Sequence, residues 1–468
     1  MKFGLLSIGF KPTIIKLRWK RQPLEIFNSL YRHCEYAYIL ESVEGPEYLA
    51  EYSFIGFNPR VVISIKNGVA EVYDKTGNLR ERLVVDDPLS LVRRFVDGTC
   101  KLQSYFRFIG GAVGYVSYDA VRYWEKLPEK AMDGFGFPDL EMALYDDGIV
   151  FNHKTGEVFY YYFKENRLSE VEGLIKENVA TEKFYYSEPK TNLKKEAYEA
   201  IVAKSKEYIV SGDIFQVVLS RRYEFSFHGS LIPFYYALRR LNPSPYMYFL
   251  KMGNCQLAGS SPEMLVRVEG ETVETFPIAG TRPRVKDNPS ADEALAQELL
   301  HDPKERAEHV MLVDLARNDL GRVAEFGSVH VPEFMKVYKY SHVQHMVSRV
   351  VGRLRHDFNC YDALKAVFPA GTVSGAPKVR AMEIIEELEP VRRGPYAGAA
   401  GYFSFNGNAD FAITIRTLVA KGSRAYIQAG AGIVADSVPG REWIETEHKA
   451  SALLKALQIA AKEGDSHR

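Results

Sequence analysis

Apolar and polar residues alternate along many short stretches in the first 180 residues of the chain. The clearest stretches with this period of two lie at residues 60–65, 69–73, 148–151 and 157–163. Glycine and asparagine separate them, and this pattern predicts the short strands of an antiparallel sheet. Two stretches that begin with proline are instead predicted to be helices, residues 23–31 and 88–95.

A polar connection separates this part from the rest of the chain. Residues 181–195 are polar, contain Pro189 and lead into a helix that is predicted to start near Lys194. Such a composition is typical of a domain boundary. We therefore predict an amino-terminal, sheet-forming part over residues 1–180 and a second part over residues 190–460.

The second part repeats the pattern of the first. Its strands are predicted at residues 255–257 and 265–268, and a long helix at residues 303–320. One nine-residue pattern occurs twice, as GAVGYVSYD at residues 111–119 and as GAAGYFSFN at residues 398–406. Small residues that alternate with aromatic ones fit strands whose backbones pack closely. We therefore predict a two-lobed α+β fold, with antiparallel sheets packed as a sandwich and helices outside.

Composition narrows the class of protein. A chain of 468 residues with 46% hydrophobic residues can bury a sizeable core. Basic and acidic residues balance at 60 each, so the overall charge gives no support to nucleic-acid binding. Basic residues follow the short apolar start, whereas a signal peptide has its charge first, and no apolar run could span a membrane. We expect a soluble cytoplasmic protein.

Two Glu-x-x-Glu pairs lie far apart in segments with helical patterns, Glu305 with Glu308 and Glu442 with Glu445. Residues three apart project from the same side of a helix. If the two pairs face each other, four carboxylates can meet a hard cation such as magnesium, which prefers oxygen ligands. The alternative is a pair of solvated helix faces, where most carboxylates lie.

Three glycine-containing motifs accompany these pairs: one precedes the first pair, at residues 277–284, and two lie between the pairs, at residues 371–378 and 428–434. In the first, Gly280 allows a ligand to approach the backbone and Thr281 offers a hydroxyl. The second does not have the spacing of a P-loop. We interpret it as a loop before a helix from Pro377, with Thr372 and backbone N–H groups available to an anion. The glycines of the third can present N–H donors to a carboxylate.

Cationic and imidazole side chains accompany these motifs. Arg416 ends a predicted strand and can hold a carboxylate with two hydrogen bonds, and Lys449 lies one helical turn after the second glutamate pair. Either cation alone could equally be a surface ion-pair partner. His345 lies three residues after His342. A structural or metal-binding role is open for this pair, and an acid–base role suits His345, because the pKa of imidazole is near neutral.

Several long motifs together resemble the chorismate-utilising enzymes, at residues 212–221, 259–264, 277–282, 306–319, 371–378 and 428–434. Within that family the chain is most similar to the large subunits of anthranilate synthases. Matches at residues 40–42 and 52–56 extend the resemblance over nearly the whole length. It implies a sandwich of antiparallel sheets with helices outside. It also implies a catalytic second part that binds chorismate and an amino-terminal part that contributes to regulation.

The resemblance implies roles for individual residues. Glu308 and Glu445 match magnesium ligands, with Glu305 and Glu442 as neighbouring supports. A second set matches the acid–base pair, Glu263 and His345. A third set matches the substrate pocket: Ala279, Gly280, Thr281, Thr372, Tyr396, Arg416, Gly430, Gly432 and Lys449. The implied reaction converts chorismate and ammonia to anthranilate and pyruvate.

The resemblance also implies feedback inhibition by tryptophan. Glu41 and Ser42 would meet the polar end of the amino acid. The indole side would be lined by Pro245, Tyr246 and Met247, and Tyr402 would couple this pocket to the active site.

A partner is expected as well, because none of the four cysteines has the setting of a glutaminase nucleophile: Cys34, Cys100, Cys255 and Cys360. Their lack of Cys-x-x-Cys spacing argues separately against a zinc ribbon or a disulfide framework. We therefore expect ammonia to come from glutamine on a separate glutamine amidotransferase subunit.

Other members of the family are alternatives. Isochorismate and salicylate synthases have a lysine base where this chain has Gln216, and aminodeoxychorismate synthase has a lysine where it has Ala279. An amide cannot act as a general base near neutral pH, and alanine has no nucleophile. These two positions favour ammonia as the nucleophile and anthranilate as the product. A catalytically silent amino-acid sensor is the alternative from another class.

Overall fold

The computed structural model describes residues 11–43, 51–97, 106–176, 183–340 and 343–465. The amino-terminal part consists of short strands and three helices in this order: β1 (Thr13–Leu17), α1 (Pro23–His33), β2 (Tyr36–Glu41), β3 (Tyr52–Phe57), β4 (Val61–Lys66), β5 (Val69–Asp74), β6 (Leu79–Val84), α2 (Pro88–Val96), β7 (Gly111–Val116), a 3-10 helix (Tyr118–Tyr123), β8 (Leu140–Tyr145), β9 (Asp147–Asn152), β10 (Glu157–Tyr162) and α3 (Leu168–Lys176).

The second part has longer helices. Its elements are β11 (Phe184–Tyr186), β12 (Lys190–Thr191), α4 (Lys195–Val210), β13 (Gln216–Gly229), α5 (Ile232–Leu241), β14 (Tyr246–Met252), β15 (Cys255–Ser261), β16 (Met264–Glu269), β17 (Thr272–Thr275), β18 (Ile278–Pro283), α6 (Pro289–His301), α7 (Pro303–Gly321), β19 (His330–Lys339), β20 (Val343–Arg353), α8 (Cys360–Val367), a 3-10 turn (Gly371–Val373), β21 (Gly375–Ala376), α9 (Lys378–Leu388), β22 (Ala399–Ser404), β23 (Ala409–Ile413), β24 (Thr417–Lys421), β25 (Arg424–Ile433) and α10 (Pro439–Asp465).

Two large antiparallel sheets contain these strands. In the described chain, one sheet has the order β1-β10-β9-β3-β2-β14-β15-β24-β25-β13-β11, with β12 and β21 also on β13. The other has the order β18-β20-β17-β16-β23-β22-β7-β8-β4-β5-β6, with β19 on β20. The two parts of the chain therefore share both sheets, and they join where β2 pairs with β14 and β7 pairs with β22. The predicted α+β sandwich is confirmed.

The repeated nine-residue pattern lies at one of these joints. Gly114 of β7 pairs directly with Gly401 of β22. A Cβ at Gly114 would lie 2.0 Å from the carbonyl oxygen of Glu141, and a Cβ at Gly401 would lie 2.0 Å from that of Asp410. The two copies therefore face each other across the joint, and both need glycine because the next strand packs against the backbone.

The main hydrophobic core lies between the sheets, where the rings of Phe54 and Tyr402 are 6.2 Å apart. A second core lies where α1, α5 and α10 pack on the outer face of the larger sheet. Helix starts follow from local sequence, since α1, α2 and α7 each begin with proline after a capping residue. In the described ranges, no helix is long and apolar enough to cross a membrane.

Candidate active site

Helices α7 and α10 carry the two predicted glutamate pairs; α7 packs against β18 and β20 of one sheet, and α10 packs against β25 of the other. Helix α7 begins at Pro303 because the Asp302 carboxylate accepts hydrogen bonds from the backbone N–H groups of Lys304 and Glu305, at 2.9 and 3.2 Å. This start fixes the first turns, from which Glu308 projects. Helix α10 supplies Glu445, whose charge acts on Glu308 across the gap between the helices.

Glu308 is the carboxylate at the centre of this cluster. Burial, then the charge of Glu305 and then that of Glu445, raises the pKa of Glu308 above its usual range. The side-chain amide of Gln216 donates a hydrogen bond to Glu308 over 3.4 Å. A cation held between Glu308 and Glu445 would relieve this repulsion.

The other carboxylates are already engaged. Arg282 holds Glu305 at 3.2 Å and Lys449 holds Glu445 at 2.7 Å. Burial raises the pKa of Glu442, and a hydrogen bond with Ser437 opposes this shift. Within the described part of the chain, no three His, Cys, Asp or Glu side chains form a set that could hold a metal ion. In the described residues the two pairs therefore do not form a four-carboxylate set, and Glu305 has Arg282 as its ion-pair partner.

Two carboxylates still suit magnesium. This ion usually binds one or two protein carboxylates and completes its shell with water and substrate oxygens. Glu308 and Glu445 come from different helices and sense each other's charge, so they fit such a site.

His345 lies on β20 beside the bulge that Gly280 makes in β18. Gly280 has a left-handed φ of 67°, which favours glycine. Its carbonyl oxygen accepts a hydrogen bond from His345 Nδ1 over 3.0 Å, and the Thr281 hydroxyl is 3.1 Å from the same nitrogen. Burial lowers the pKa of His345 to about 4. At neutral pH the imidazole is therefore uncharged, and Nε2 is free to accept a proton.

Glu263 lies between β15 and β16 and is buried. Burial raises the pKa of Glu263 to about 8, while the nearby Thr372 hydroxyl and the charge of Lys449 oppose the shift. The carboxyl group is therefore protonated at neutral pH and can donate a proton. Thr372 lies in the short 3-10 turn after α8 and lines one cavity with Glu263.

Positive charge is available for an anionic ligand. Arg416 has a left-handed φ of 51° between β23 and β24. In the described residues its guanidinium has no ion pair, and its charge acts on Tyr396 and His345. Lys449 donates a hydrogen bond to the carbonyl oxygen of Gly430 over 2.8 Å. Both cations can therefore meet a carboxylate.

Two glycines of β25 open the space between these groups. A Cβ at Gly430 would lie 2.9 Å from the hydroxyl of Tyr396, and a Cβ at Gly432 would lie 2.7 Å from the amide nitrogen of Gln216. Ala279, buried on β18, pairs with Met346 next to His345. The predicted catalytic, substrate and metal residues thus form one connected site. His342 lies outside the described residues.

The residues predicted for tryptophan line a separate cavity at the joint of the two parts. They are Glu41, Ser42, Pro245, Tyr246, Met247 and Tyr402. Additional lining residues were not predicted from the sequence: Leu40, Tyr52, Phe54, Arg107, Tyr248, Arg267, Ala400, Gly401 and Asp410. The hydroxyl of Tyr402 is buried and has no hydrogen-bond partner in the part of the chain that the structure describes.

Glu41 and Met247 border the cavity, and their side chains have partners outside it. They pair across the joint of β2 and β14. The Glu41 carboxylate accepts hydrogen bonds from Tyr235 and Arg239 of α5, both at 3.0 Å, and Met247 packs in the core on the same outer face. Their side chains therefore point toward the outer face of the sheet, because alternate residues of a strand point to opposite faces.

Sequence reasoning missed the buried arginines below the site. Arg221 packs on Trp443 at 3.6 Å and donates a hydrogen bond to Thr446 over 2.8 Å, which ties β13 to the first turns of α10. Arg393 is paired with Glu389 under the substrate pocket. An Arg-Arg-Gly sequence before Tyr396 was visible, but the distant partners of Arg393 were not.

Comparisons with known proteins place the chain in a family. A family model described as chorismate binding enzyme matches residues 35–455. A curated protein of Methanothermobacter thermautotrophicus, named anthranilate synthase component 1, is 50% identical and covers 99% of this chain and 98% of its own. A protein of the same name from Saccharolobus solfataricus is 46% identical over 93% of this chain and 97% of its own.

A solved structure gives the same result. The crystal structure of anthranilate synthase component I from Streptococcus pneumoniae is 38% identical and aligns with a TM-score of 0.76. The alignment covers 88% of this chain and 93% of that chain. From its sequence, its fold and the matched family model, the chain belongs to the family of chorismate-binding enzymes.

Proposed function

We propose that this chain is the chorismate-converting component of an anthranilate synthase, which forms anthranilate and pyruvate from chorismate and ammonia. Relatives of that name match it over nearly their whole length. The observation that carries the mechanism is the pairing of a carboxylic acid, Glu263, with a neutral imidazole, His345, in one cation-lined site. Product analysis with chorismate, magnesium and ammonium salt tests the proposal.

The substrate is a dicarboxylate, and the site offers cations for both carboxylates. Arg416 can form two parallel hydrogen bonds with one carboxylate, and Lys449 adds a point charge. Glu308 and Glu445 would hold magnesium, which supplies positive charge to the ring carboxylate when it is bound. Thr281 and Thr372 provide hydroxyl groups at the edges of the pocket.

Two proton transfers divide the reaction. Ammonia adds to ring C2 while the 4-hydroxyl group leaves, and Glu263 donates the proton that converts this group to water. His345 Nε2 then removes the proton from C2, the bond between C3 and the ether oxygen breaks, and the released enolpyruvate takes up a proton at its methylene carbon to become pyruvate. Elimination makes the ring aromatic, which favours this second step.

The nucleophile is ammonia rather than water or a lysine. Gln216 is buried, its amide faces Glu308, and it cannot take a proton from water. Ala279 has no nucleophilic group beside His345. Ammonia needs no base and adds at C2 directly. These residues support anthranilate over isochorismate, salicylate and 4-amino products.

A glutamine amidotransferase subunit would supply the ammonia. The relatives are named component 1, a name that implies a further component. Cys34, Cys255 and Cys360 are buried, and burial raises the pKa of each thiol, so none is an activated nucleophile. Cys100 lies outside the described residues. The isolated chain should therefore use ammonium salt and not glutamine, and glutamine-dependent synthesis by the chain alone would contradict this.

Tryptophan would inhibit by binding in the cavity at the joint of the two parts. Aromatic rings of Tyr52 and Phe54 stack at 5.6 Å beside it, and Arg267 and Asp410 form an ion pair at 2.7 Å. Tyr402, on β22, is six residues from Tyr396 of the active site. Binding that shifts this strand would change substrate affinity, which is the linkage that inhibition requires. The amino-terminal part would then act in regulation, in a cytoplasmic biosynthetic enzyme.

A further inference from the structure

A buried ion pair lies below the substrate pocket, at the end of α9. Arg393 is 1% exposed and Glu389 is 4% exposed. The guanidinium donates to both carboxylate oxygens, from Nε over 2.9 Å and from Nη2 over 2.6 Å. This two-bond geometry fixes the plane of the guanidinium and not only its charge.

The remaining hydrogen bonds of the pair reach two segments that carry site residues. Arg393 donates to the carbonyl oxygens of Val373 and Val218, both over 2.7 Å. Val373 follows Thr372 directly, and Val218 lies two residues after Gln216 on β13. One guanidinium therefore connects the 3-10 turn and β13.

The Glu389 carboxylate of the pair is also hydrogen-bonded to β13. Glu389 accepts hydrogen bonds from the backbone N–H and the hydroxyl of Ser220, at 2.7 and 2.8 Å. The Ser220 hydroxyl accepts another from the side-chain amide of Gln428 over 2.8 Å. The Arg393 guanidinium carbon lies 5.8 Å from the ring centre of Tyr396. Three segments of the pocket thus converge on one buried pair.

We propose that Arg393, paired with Glu389, is a positioning residue that holds the Thr372 turn and Tyr396 in place beneath chorismate. This role rests on the proposed function. Arg393 touches neither the substrate nor the reacting atoms, so it acts through Thr372 and Tyr396. Apolar residues can replace many buried ion pairs without loss of stability, so a variant with apolar residues at both positions can still fold. Such a variant would lack the hydrogen bonds from Arg393 to Val373 and Val218.

The pKa of Glu263 distinguishes a positioning role of Arg393 from a role in support of the fold. Thr372 and Glu263 line one cavity, and the nearby Thr372 hydroxyl holds the pKa of Glu263 lower than burial alone would. Other charged groups that face Glu263 are unaffected by Arg393: Lys449 acts from α10, and Asp319, which lines the same cavity from α7, is paired with Lys378 at 2.7 Å. If the turn moves, the pKa of Glu263 rises.

The experiment compares the whole chain with the double variant Arg393→Met/Glu389→Met, which removes both charges and keeps the volume. Thr372→Val shows the shift of the pH profile that loss of the Thr372 hydroxyl causes. Arg353→Met, at an exposed ion pair, is the matched control. We expect kcat with ammonium and magnesium to fall on the order of 100-fold in the double variant. The alkaline limb of its pH profile should shift upward, as in Thr372→Val, and the control should match the wild type.

A folded double variant with the wild-type kcat and alkaline limb would overturn the proposal. If that variant does not fold, Ser220→Ala removes one link to Glu389 and should show a smaller shift in the same direction. An unchanged limb in Ser220→Ala would then overturn it. A wild-type chain that makes no anthranilate would instead refute the proposed function, so the two failures are distinguishable.

Discussion

The Nδ1 of His345 donates a hydrogen bond to the carbonyl oxygen of Gly280 over 3.0 Å. A carbonyl oxygen only accepts, so the proton of the neutral ring lies on Nδ1 and the lone pair lies on Nε2. The bulge at Gly280 creates this acceptor, because its left-handed backbone turns the carbonyl toward β20. A local feature of the glycine motif thereby selects the tautomer of a histidine 65 positions away.

Replacement of His345 should separate the two halves of the reaction. In His345→Met the addition of ammonia should continue, while the final elimination slows on the order of 10²–10⁴-fold, because its base is lost. Chromatography of the products should show consumption of chorismate and accumulation of an amino intermediate. His301→Met, on the exposed end of α6, is the control. Unaltered release of anthranilate by His345→Met would contradict the role.

The pH profile should be broad. Activity needs neutral His345, so it is lost as the pH falls through about 4. Activity also needs protonated Glu263, so it is lost as the pH rises through about 8. An ordinary imidazole would lose activity at a higher pH, near 6.5.

The variant Glu263→Gln tests the alkaline limb of this profile. We expect a fall in kcat on the order of 10²–10⁴-fold and the disappearance of that limb, because the amide does not titrate. Glu271→Gln, an exposed glutamate, is the control. A wild-type limb in Glu263→Gln would assign the limb to another group.

Removal of either cross-helix carboxylate should remove the response to magnesium. Glu308→Ala and Glu445→Ala should lose magnesium-dependent turnover and the rise in melting temperature that magnesium gives the wild type. Protons compete with the metal at Glu308, whose pKa is raised, so magnesium affinity should increase with pH. Glu207→Ala, on the exposed end of α4, should behave as the wild type. Full activity of Glu445→Ala at ordinary magnesium concentrations would remove the assignment.

The hydroxyl of Tyr402 offers a test of the inhibitor cavity. Tyr402→Phe removes a buried hydroxyl that has no partner in the described residues, so its melting temperature should not fall. If tryptophan binds in the cavity, inhibition should weaken in this variant, while kcat without tryptophan stays the same. Titration of activity with tryptophan measures both. Equal inhibition of the two proteins would place the inhibitor elsewhere.

Much of the fold and site was predictable because the signals are local. Proline at the start of α1, α2 and α7, and the repeated glycine pattern of β7 and β22, each depend on a few adjacent residues. Glycines 280, 430 and 432 could be found in the same way, because each permits a close approach that a side chain would block.

Other features depend on contacts between distant residues. The outward direction of Glu41 and Met247 follows from the register of β2 with β14, and a shift of one residue would reverse it. Arg282 forms an ion pair with Glu305, although nothing in the sequence near either residue indicates this pair. The partners of Arg393 come from β13, the 3-10 turn and the end of α9, so only the folded chain shows them.

The identity of the product is the sharpest test of the proposed reaction. The purified chain is incubated with chorismate, magnesium and ammonium salt, and the products are separated and quantified. We expect 2-aminobenzoate and pyruvate in equal amounts, because ammonia adds at C2 and Gln216 and Ala279 offer no competing base or nucleophile. A 4-amino product, or isochorismate in the presence of ample ammonium, would contradict it.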